Sequence, residues 1–142
     1  MGRRILLGVT GSIAAYKAVE LLRLFVKNGD EVQVVMTEAA TKFVAPLTFQ
    51  TLSRNPVSVD SFAPVVNWKP EHISLADWAD VVVVAPAMNT GMWEAAATQE
   101  NVAALKARGV TVIDPASGEL ACGASGAGRI PEAAEIFAAV QA

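Results

Sequence analysis

The sequence predicts an α/β fold, a doubly wound parallel sheet of about five strands with helices on both of its faces. Apolar runs of strand length alternate along the chain with longer stretches of helical length, which is the order that βαβ units produce. The connections between these stretches are short, as right-handed crossovers require. A chain of 142 residues, 53% of them hydrophobic, is long enough to build one compact core. We therefore expect a single domain over residues 1–142.

The first three elements are sharply defined in the sequence. The apolar run Arg4–Val9 predicts a buried strand that ends in a glycine turn. A helix is predicted over residues 12–28, with Ser12 as a natural N-cap and Gly29 as the left-handed residue that ends it. The segment Glu31–Met36 is rich in β-branched residues and predicts the second strand.

The middle of the chain is more broken. Residues 40–53 predict a second helix, although Pro46 must kink it or mark its restart. Residues 56–62 are more polar and predict a weaker strand at the edge of the sheet. A loop is predicted over residues 63–70, followed by a short helix over residues 72–78.

The second half returns to strand–helix alternation. Four consecutive valines within residues 80–85 predict the strongest strand of the chain. A helix over residues 92–108, closed by a glycine, and a strand over residues 110–113 follow. Residues 114–129 predict a glycine-rich loop, and residues 131–141 predict a final helix.

Composition excludes several classes of protein. A formal net charge of −3 with scattered basic residues argues against a nucleic-acid surface. No apolar run approaches the length of a membrane span, and the N-terminal run meets its glycine turn too soon to hold a signal-peptide core. One cysteine excludes an internal disulfide framework, and one histidine leaves little for a metal site. We expect a soluble, cytoplasmic protein that binds neither nucleic acid nor membrane.

Loops at the carboxyl ends of the strands are where such sheets bind ligands. The first of them, residues 8–13, lacks the GxGxxG dinucleotide spacing but places small residues, a hydroxyl and backbone N–H groups at a helix N-terminus. It is either a phosphate site or a tight turn with an ordinary serine cap. The second strand is followed by Thr37, and Glu38 comes one step too late for a dinucleotide's ribose, which favours a mononucleotide.

His72 and Cys122 are the candidate reactive side chains. His72 precedes the strongest strand, where it is either a general acid or base or an ordinary surface residue. Cys122 lies among four glycines, which suggests a mobile flap that presents a thiol to a closed site, or else an inert cysteine in a flexible loop. No GxSxG motif occurs, so a serine hydrolase is disfavoured.

Several stretches of the chain form one combined pattern, which includes Pro-Ala-Met-Asn, a histidine and Ala-Cys-Gly. The stretches are residues 8–17, 35–44, 46–53, 72–80, 85–89, 92–93 and 121–123. Together they cover nearly the whole chain and resemble the homo-oligomeric flavin-containing cysteine decarboxylases. The resemblance implies a three-layer Rossmann-like, flavodoxin-like fold, an FMN cofactor and assembly into homo-trimers or higher homo-oligomers.

The resemblance also assigns cofactor contacts. Gly11, Ser12, Thr37 and Ala39 would hold the phosphate end of FMN, and Ala87 would lie against the flavin. These positions belong to the loops after the first, second and fourth predicted strands.

The reaction that the resemblance implies is the decarboxylation of 4′-phospho-N-pantothenoylcysteine to 4′-phosphopantetheine, a step of coenzyme A biosynthesis. His72 would be the catalytic base, Asn89 would grip the substrate carboxylate, and Cys122 would be the proton donor. Ala121 and Ile130 would supply backbone contacts to the pantothenate arm. Peptide-modifying relatives stop at the enethiol, so a cysteine at position 122 favours the coenzyme A branch.

One feature departs from the family pattern. In the family, a strand ending in Ala-Pro-Ala is followed by a flavin loop, a helix and a second strand ending in Ala-Pro-Ala, and Met-Asn comes after that. Here residues 81–87 lead directly into Met88 and Asn89, so about one helix and one strand of a crossover unit are missing. Either the remaining strands close up, or the numbered sequence omits residues that the protein contains.

The departure keeps a second function open. The chain is either the decarboxylase or a non-catalytic, truncated flavin-binding or regulatory subunit of the same family. A relative that acts on another substrate, such as a prenyl-flavin transferase, is disfavoured by the Pro-Ala-Met-Asn and Ala-Cys-Gly elements.

Overall fold

The computed structural model describes residues 2–60 and 71–142. The chain divides into two compact units, Met1–Val81 and Val82–Ala142. The expectation of one domain over the whole chain stays a prediction.

The first unit is built on a parallel three-stranded sheet. Its strands β1 (Arg4–Val9), β2 (Glu31–Met36) and β3 (Val57–Ser58) lie in the order β1-β2-β3. The register pairs Gly8 with Val35, and Val35 with Ser58, so these three residues form one row across the sheet. The first two strands have the predicted bounds, because both are buried and rich in β-branched or aliphatic residues.

Helices cover both faces of this sheet. Helices α1 (Ala15–Asn28) and α2 (Pro46–Ser53) pack against β2 and against each other. Helix α3 (Glu71–Trp78) packs against β1. Successive side chains of a strand point to opposite faces, and the core lies on one of them. The buried side chains of that core include Ile5, Val9, Val32, Val34, Met36, Leu21, Leu22, Phe25 and Phe49.

The start of α1 differs from the prediction. The helix begins at Ala15, and its N-cap position is Ala14, so Ser12 is not the N-cap. The Ser12 side chain instead accepts a hydrogen bond from the Ala14 N–H at 3.2 Å, which forms a serine turn ahead of the helix. The end of α1 agrees with the prediction, because Gly29 has a φ of 87°.

A new helix begins at Pro46, so this proline marks a restart and does not kink a longer helix. A 3-10 turn over Ala40–Lys42 precedes α2, and Pro46 is the first residue of that helix, where its missing N–H costs nothing. The predicted strand over residues 56–62 is shorter in the structure, and residues 61 and 62 lie outside the described part. The loop predicted over residues 63–70 lies outside it as well.

The second unit contains a short parallel pair, β4 (Val83–Val84) and β5 (Thr111–Val112). The described strand pairings therefore form a three-stranded and a two-stranded parallel sheet, and the single sheet of five strands is not seen. The four valines give only a two-residue strand, and Val82 among them is 69% exposed.

The long helix predicted over residues 92–108 is two helices, α4 (Thr90–Trp93) and α5 (Ala96–Ala107). The chain breaks at Ala95, which has an extended ψ of 135°. The side chain of Gln99 donates to Trp93 O at 2.6 Å and satisfies a carbonyl at the end of α4. A last helix, α6 (Ala133–Gln141), buries Ala133, Ile136 and Val140.

The glycine-rich segment is not the loop that was predicted. It forms an antiparallel hairpin of β6 (Ala116–Glu119) and β7 (Ser125–Arg129). Gly123 N donates to Leu120 O at 2.9 Å, Leu120 N donates to Ala124 O at 2.7 Å, and Gly123 has a φ of 83°. A three-residue turn that ends in a left-handed glycine closes such hairpins, so the glycine pattern encodes a turn.

Within the described residues, no helix is long and apolar enough to cross a bilayer.

Candidate active site

The first unit brings two predicted cofactor loops together. A Cβ added at Gly11 would lie 2.6 Å from the Cβ of Ala39, so only glycine lets the loop after β1 meet the segment after β2. Within residues 2–60 and 71–142, the N–H groups of Gly11, Ser12 and Ile13 donate to no acceptor, and they stand just ahead of α1. Free N–H groups ahead of a helix suit an anionic group such as a phosphate.

Thr37 is held in the same region. Its N–H donates to Val9 O at 3.0 Å, which extends the pairing of β1 and β2 by one residue. Its hydroxyl accepts from the Ala40 N–H at 3.2 Å and so caps the 3-10 turn. The side chain is exposed at the carboxyl end of β2, where the sequence predicted it.

His72 lies in the first turn of α3 and is exposed. It borders a cavity of about 330 Å³ between this helix and the face of the sheet opposite the core. The cavity is lined by Leu6, Gly8, Val35, Ser58, Glu71, His72 and Leu75. A Cβ added at Gly8 would meet nothing within 4 Å, so the absent side chain contributes to the open space.

Two polar residues that line this cavity, Ser58 and Glu71, were not predicted from the sequence. The Ser58 hydroxyl donates to Glu71 Oε2 at 2.7 Å across the cavity wall. Ser58 ends β3, and Glu71 begins α3, next to His72. The sequence signal that could have indicated Glu71 is its place at the start of a predicted helix, where carboxylates are favoured.

The second unit brings two predicted catalytic residues together. The Asn89 amide nitrogen lies 4.0 Å from the Cys122 sulfur. The other end of the same amide, Oδ1, accepts from the Gly91 N–H at 2.8 Å and caps α4. This cap fixes which end of the amide faces the thiol. Both residues are exposed.

Glycines of β7 create this proximity. Met88 N donates to Gly128 O at 2.9 Å, and a Cβ at Gly128 would collide with Met88 O. A Cβ at Gly126 would collide with the Thr90 hydroxyl. The hairpin therefore rests directly on the residues that flank Asn89, and the turn that carries Cys122 lies above the amide.

The remaining predicted contacts also belong to the second unit. Ala121 is exposed in the hairpin turn beside Cys122, and Ile130 is half-buried directly after β7. Ala87 is half-buried one residue before Met88, whose N–H bonds the hairpin. These three residues lie on the two chain segments that flank Asn89 and Cys122.

A sequence model of the family described as Flavoprotein matches residues 1–87 and, separately, residues 82–142. The chain belongs to the flavoprotein family. The family resemblance deduced from the sequence is thereby confirmed. Residues 82–87 of this flavoprotein are matched twice, as expected where one segment stands in place of two similar strand ends.

A curated relative supports the coenzyme A branch of the resemblance. The coenzyme A biosynthesis bifunctional protein CoaBC of Vibrio parahaemolyticus is 41% identical to this flavoprotein over 164 residues. The alignment covers 92% of this chain and 41% of the relative, so the chain spans less than half the length of the curated relatives it matches. The alignment is also longer than the 142-residue chain itself, so the relative contains residues that have no counterpart here.

Two solved structures have the same fold. A PPC decarboxylase variant with a cysteine-to-serine substitution, complexed with pantothenoylaminoethenethiol, has a TM-score of 0.86 and 27% identity. The match covers 99% of this chain and 97% of that one. The FMN binding protein AtHal3 has a TM-score of 0.82 and 27% identity, with 99% of this chain and 96% of that one covered. The α/β fold class is confirmed.

Proposed function

We propose that this flavoprotein binds FMN and decarboxylates the cysteinyl carboxylate of 4′-phospho-N-pantothenoylcysteine, giving 4′-phosphopantetheine. The contact between Asn89 and Cys122 carries the proposal, because it joins the amide that would bind the carboxylate to the thiol that would donate the proton. Support comes from the CoaBC relative and from the PPC decarboxylase variant whose complex contains an enethiol.

The first unit fits the phosphate end of FMN. Gly11 and Ser12 offer backbone N–H groups, and the closeness of Gly11 to Ala39 brings the loop after β2 to the same place. Thr37 adds an exposed hydroxyl at the end of β2. We assign the phosphate end to these four residues and a contact with the flavin to Ala87.

Bound flavin would supply a two-electron oxidation at the thiol-bearing carbon and return the electron pair after CO₂ has left. His72 would act as the base, since it borders the cavity on an exposed helix turn. The Asn89 amide would donate a hydrogen bond to the departing carboxylate. Cys122 would then protonate the enethiol carbon, and Ala121 and Ile130 would hold the pantothenate arm through their backbones.

The decisive experiment combines cofactor and turnover. Purified protein should show a flavin absorption spectrum and release one CO₂ per molecule of phosphopantothenoylcysteine consumed. Protein that stays colourless after incubation with FMN would overturn the proposal. The intact mass of the same sample, set against the gene, would show whether the chain contains all of its encoded residues.

The double match of residues 82–87 favours a second candidate, a non-catalytic subunit that binds flavin without turnover. Such a subunit would take up FMN and bind the substrate without releasing CO₂. Stoichiometric CO₂ release by the purified chain eliminates this candidate.

We further infer a homo-trimer or higher homo-oligomer acting on a small molecule in the cytoplasm. A reducing compartment keeps the Cys122 thiol available for proton transfer. Sedimentation of the flavin-loaded protein as a monomer would argue against the assembly.

A further inference from the structure

We propose that Ser58 and Glu71 are positioning residues that hold His72 at the mouth of the cavity. The inference rests on the proposed function only for the role of His72 as the catalytic base. The pair was not among the residues that the sequence singled out, and it lies outside the predicted catalytic set.

The hydrogen bond joins β3 to α3, two elements that share no backbone hydrogen bond among the described residues. Strand β3 has two residues at the edge of the three-stranded sheet, and Ser58 is the second of them. Its hydroxyl donates to Glu71 Oε2 at 2.7 Å, and Glu71 is the first residue of α3. The hydrogen bond therefore connects the last row of the sheet to the first turn of the helix.

His72 follows Glu71 directly, so anything that fixes the first turn of α3 also fixes the backbone of His72. The helix has eight residues, and a helix this short depends on tertiary contacts for its order. Its second turn is anchored by Leu75, which is 9% exposed. Its first turn is exposed at Glu71, His72 and Ile73, and the bond from Ser58 is a specific anchor for that turn.

Carboxylate chemistry suits this anchor. An ionised glutamate accepts a charge-assisted hydrogen bond from a hydroxyl, and its negative charge is favoured in the first turn of a helix. Ser58, Glu71 and His72 also line the same cavity, so a shift of the first turn changes where the imidazole faces the cavity. Small misplacements of a catalytic group are enough to slow a reaction.

The test uses the fact that the chain contains a single histidine. Protein labelled with carbon-13 histidine gives one imidazole Cε1 signal, which reports the environment of His72 alone. We expect Glu71→Ala and Ser58→Ala to move or broaden that signal in the same way, and the double variant to add nothing further, because both changes break one interaction. Glu71→Gln keeps an oxygen that accepts from Ser58 but loses the charge beside His72, so its signal should lie closer to that of the wild type than the Glu71→Ala signal does.

Glu20→Ala is the charge control, because Glu20 is an exposed carboxylate on α1. It should leave the imidazole signal and turnover unchanged. In flavin-loaded protein, Glu71→Ala should lower kcat by about fivefold to tenfold with little change in KM, and Glu71→Gln should restore it.

An unchanged imidazole signal in Glu71→Ala would overturn the proposal, as would a Glu71→Gln signal displaced as far as that of Glu71→Ala. The signal does not depend on turnover. A wild-type protein that binds flavin and releases no CO₂ would overturn the proposed function, and the imidazole signal would still decide the positioning role.

Discussion

At the scale of single residues, the glycines of β7 allow close approach between chain segments and do not serve to make the hairpin flexible. A cluster of glycines around a cysteine suggested a mobile flap, and the structure uses Gly126 and Gly128 to bring the hairpin into contact with residues 88–90. The turn glycine, Gly123, has a different task, since it adopts a φ of 83° in open space. The same residue type thus provides close approach at two positions and turn geometry at a third.

Gly128→Ala should therefore be more damaging than Gly123→Ala. Both positions have positive φ, which costs an alanine about 1–2 kcal/mol, but only at Gly128 would the new Cβ meet Met88 O. We expect a lower free energy of unfolding in urea for Gly128→Ala than for Gly123→Ala. Equal destabilisation by the two variants would show that the close contact with Met88 is unimportant.

Thr90 carries a hydroxyl that is buried without a hydrogen-bond partner among the described residues. An unsatisfied buried hydroxyl is unfavourable, and valine has the same shape without the polar group. We expect Thr90→Val to raise the free energy of unfolding by about 1 kcal/mol. Thr90→Ser retains the hydroxyl and should give no gain. A destabilised Thr90→Val would mean that the hydroxyl has a partner in solution.

Under the proposed function, Cys122 and His72 act at different stages, and their variants should fail differently. Cys122→Ser should still release CO₂, while formation of the saturated thiol falls by about 10²-fold or more because the proton donor is weakened. His72→Asn should lose CO₂ release itself. Product analysis by mass spectrometry separates the two outcomes. Normal yields of saturated product from Cys122→Ser would disprove the proton-donor role.

At the scale of elements, sequence patterns located what is buried and locally encoded. Strands β1 and β2 have the predicted bounds because alternating or continuous apolar residues define them, and Gly29 ends α1 as its position suggested. The start of α1 was predicted wrongly at Ser12, because a serine turn and an N-cap have the same sequence signal. Pro46 was ambiguous for the same kind of reason, since proline marks a kink and a helix start alike.

The sequence named residues for the candidate site but did not give the contacts between them. The Pro-Ala-Met-Asn and Ala-Cys-Gly elements singled out Asn89 and Cys122, but 33 positions separate these residues, and the hairpin brings them together. Ser58 and Glu71 were not predictable as a pair, because a single hydrogen bond between two surface elements leaves no pattern in one sequence.

The pair of Arg4 and Asp80 ties the start of β1 to the end of α3 in the first unit. The Asp80 carboxylate accepts from the Arg4 side chain at 2.6 Å and from the Arg4 N–H at 2.9 Å. The side-chain hydrogen bond, and then the backbone one, hold the pKa of Asp80 below its usual value. Because the folded pKa is depressed, this stabilisation is complete above the pKa of the unfolded chain and is lost as pH falls through the folded pKa.

Asp80→Asn should therefore lower Tm relative to the wild type by a constant amount above about pH 5, and the difference should shrink as the pH is lowered further. Thermal melts of both proteins across this pH range make the measurement. Asp114→Asn breaks an exposed pair with Lys106 made by side chains alone and serves as the control, with little change expected. A difference in Tm that persists undiminished at the acidic end would contradict the role given to the Asp80 charge.

At the scale of the whole molecule, the second unit buries few apolar side chains, as expected of a chain that is shorter than its relatives. Among the described residues, the buried apolar side chains of the second unit are Pro131, Ala133, Ile136 and Val140, and the last three belong to α6. Every residue of α5 is described, and none is buried. A helix of twelve residues without a buried face lacks the packing that normally stabilises helices.

The family comparison explains this deficit. Residues 82–87 are matched twice by the family, and the alignment with the Vibrio parahaemolyticus relative is longer than this chain. The shortfall is the size of one helix and one strand with their connections, on the order of 30 residues. A missing strand and helix after Ala87 would remove apolar partners from the second unit, where the strands that remain have only two residues each.

Restoring the missing strand and helix should therefore stabilise the second unit. We expect a chimera, with the unmatched residues of the Vibrio parahaemolyticus relative inserted between Ala87 and Met88, to show slower amide hydrogen exchange in α5 and a higher free energy of unfolding. A flexible Gly-Ser insert of equal length is the control, because it restores length without apolar partners and should leave α5 exchanging rapidly. Exchange measured by mass spectrometry on both proteins distinguishes them. Equal exchange in α5 for the two inserts would show that this helix lacks a buried face for a reason other than the missing segment.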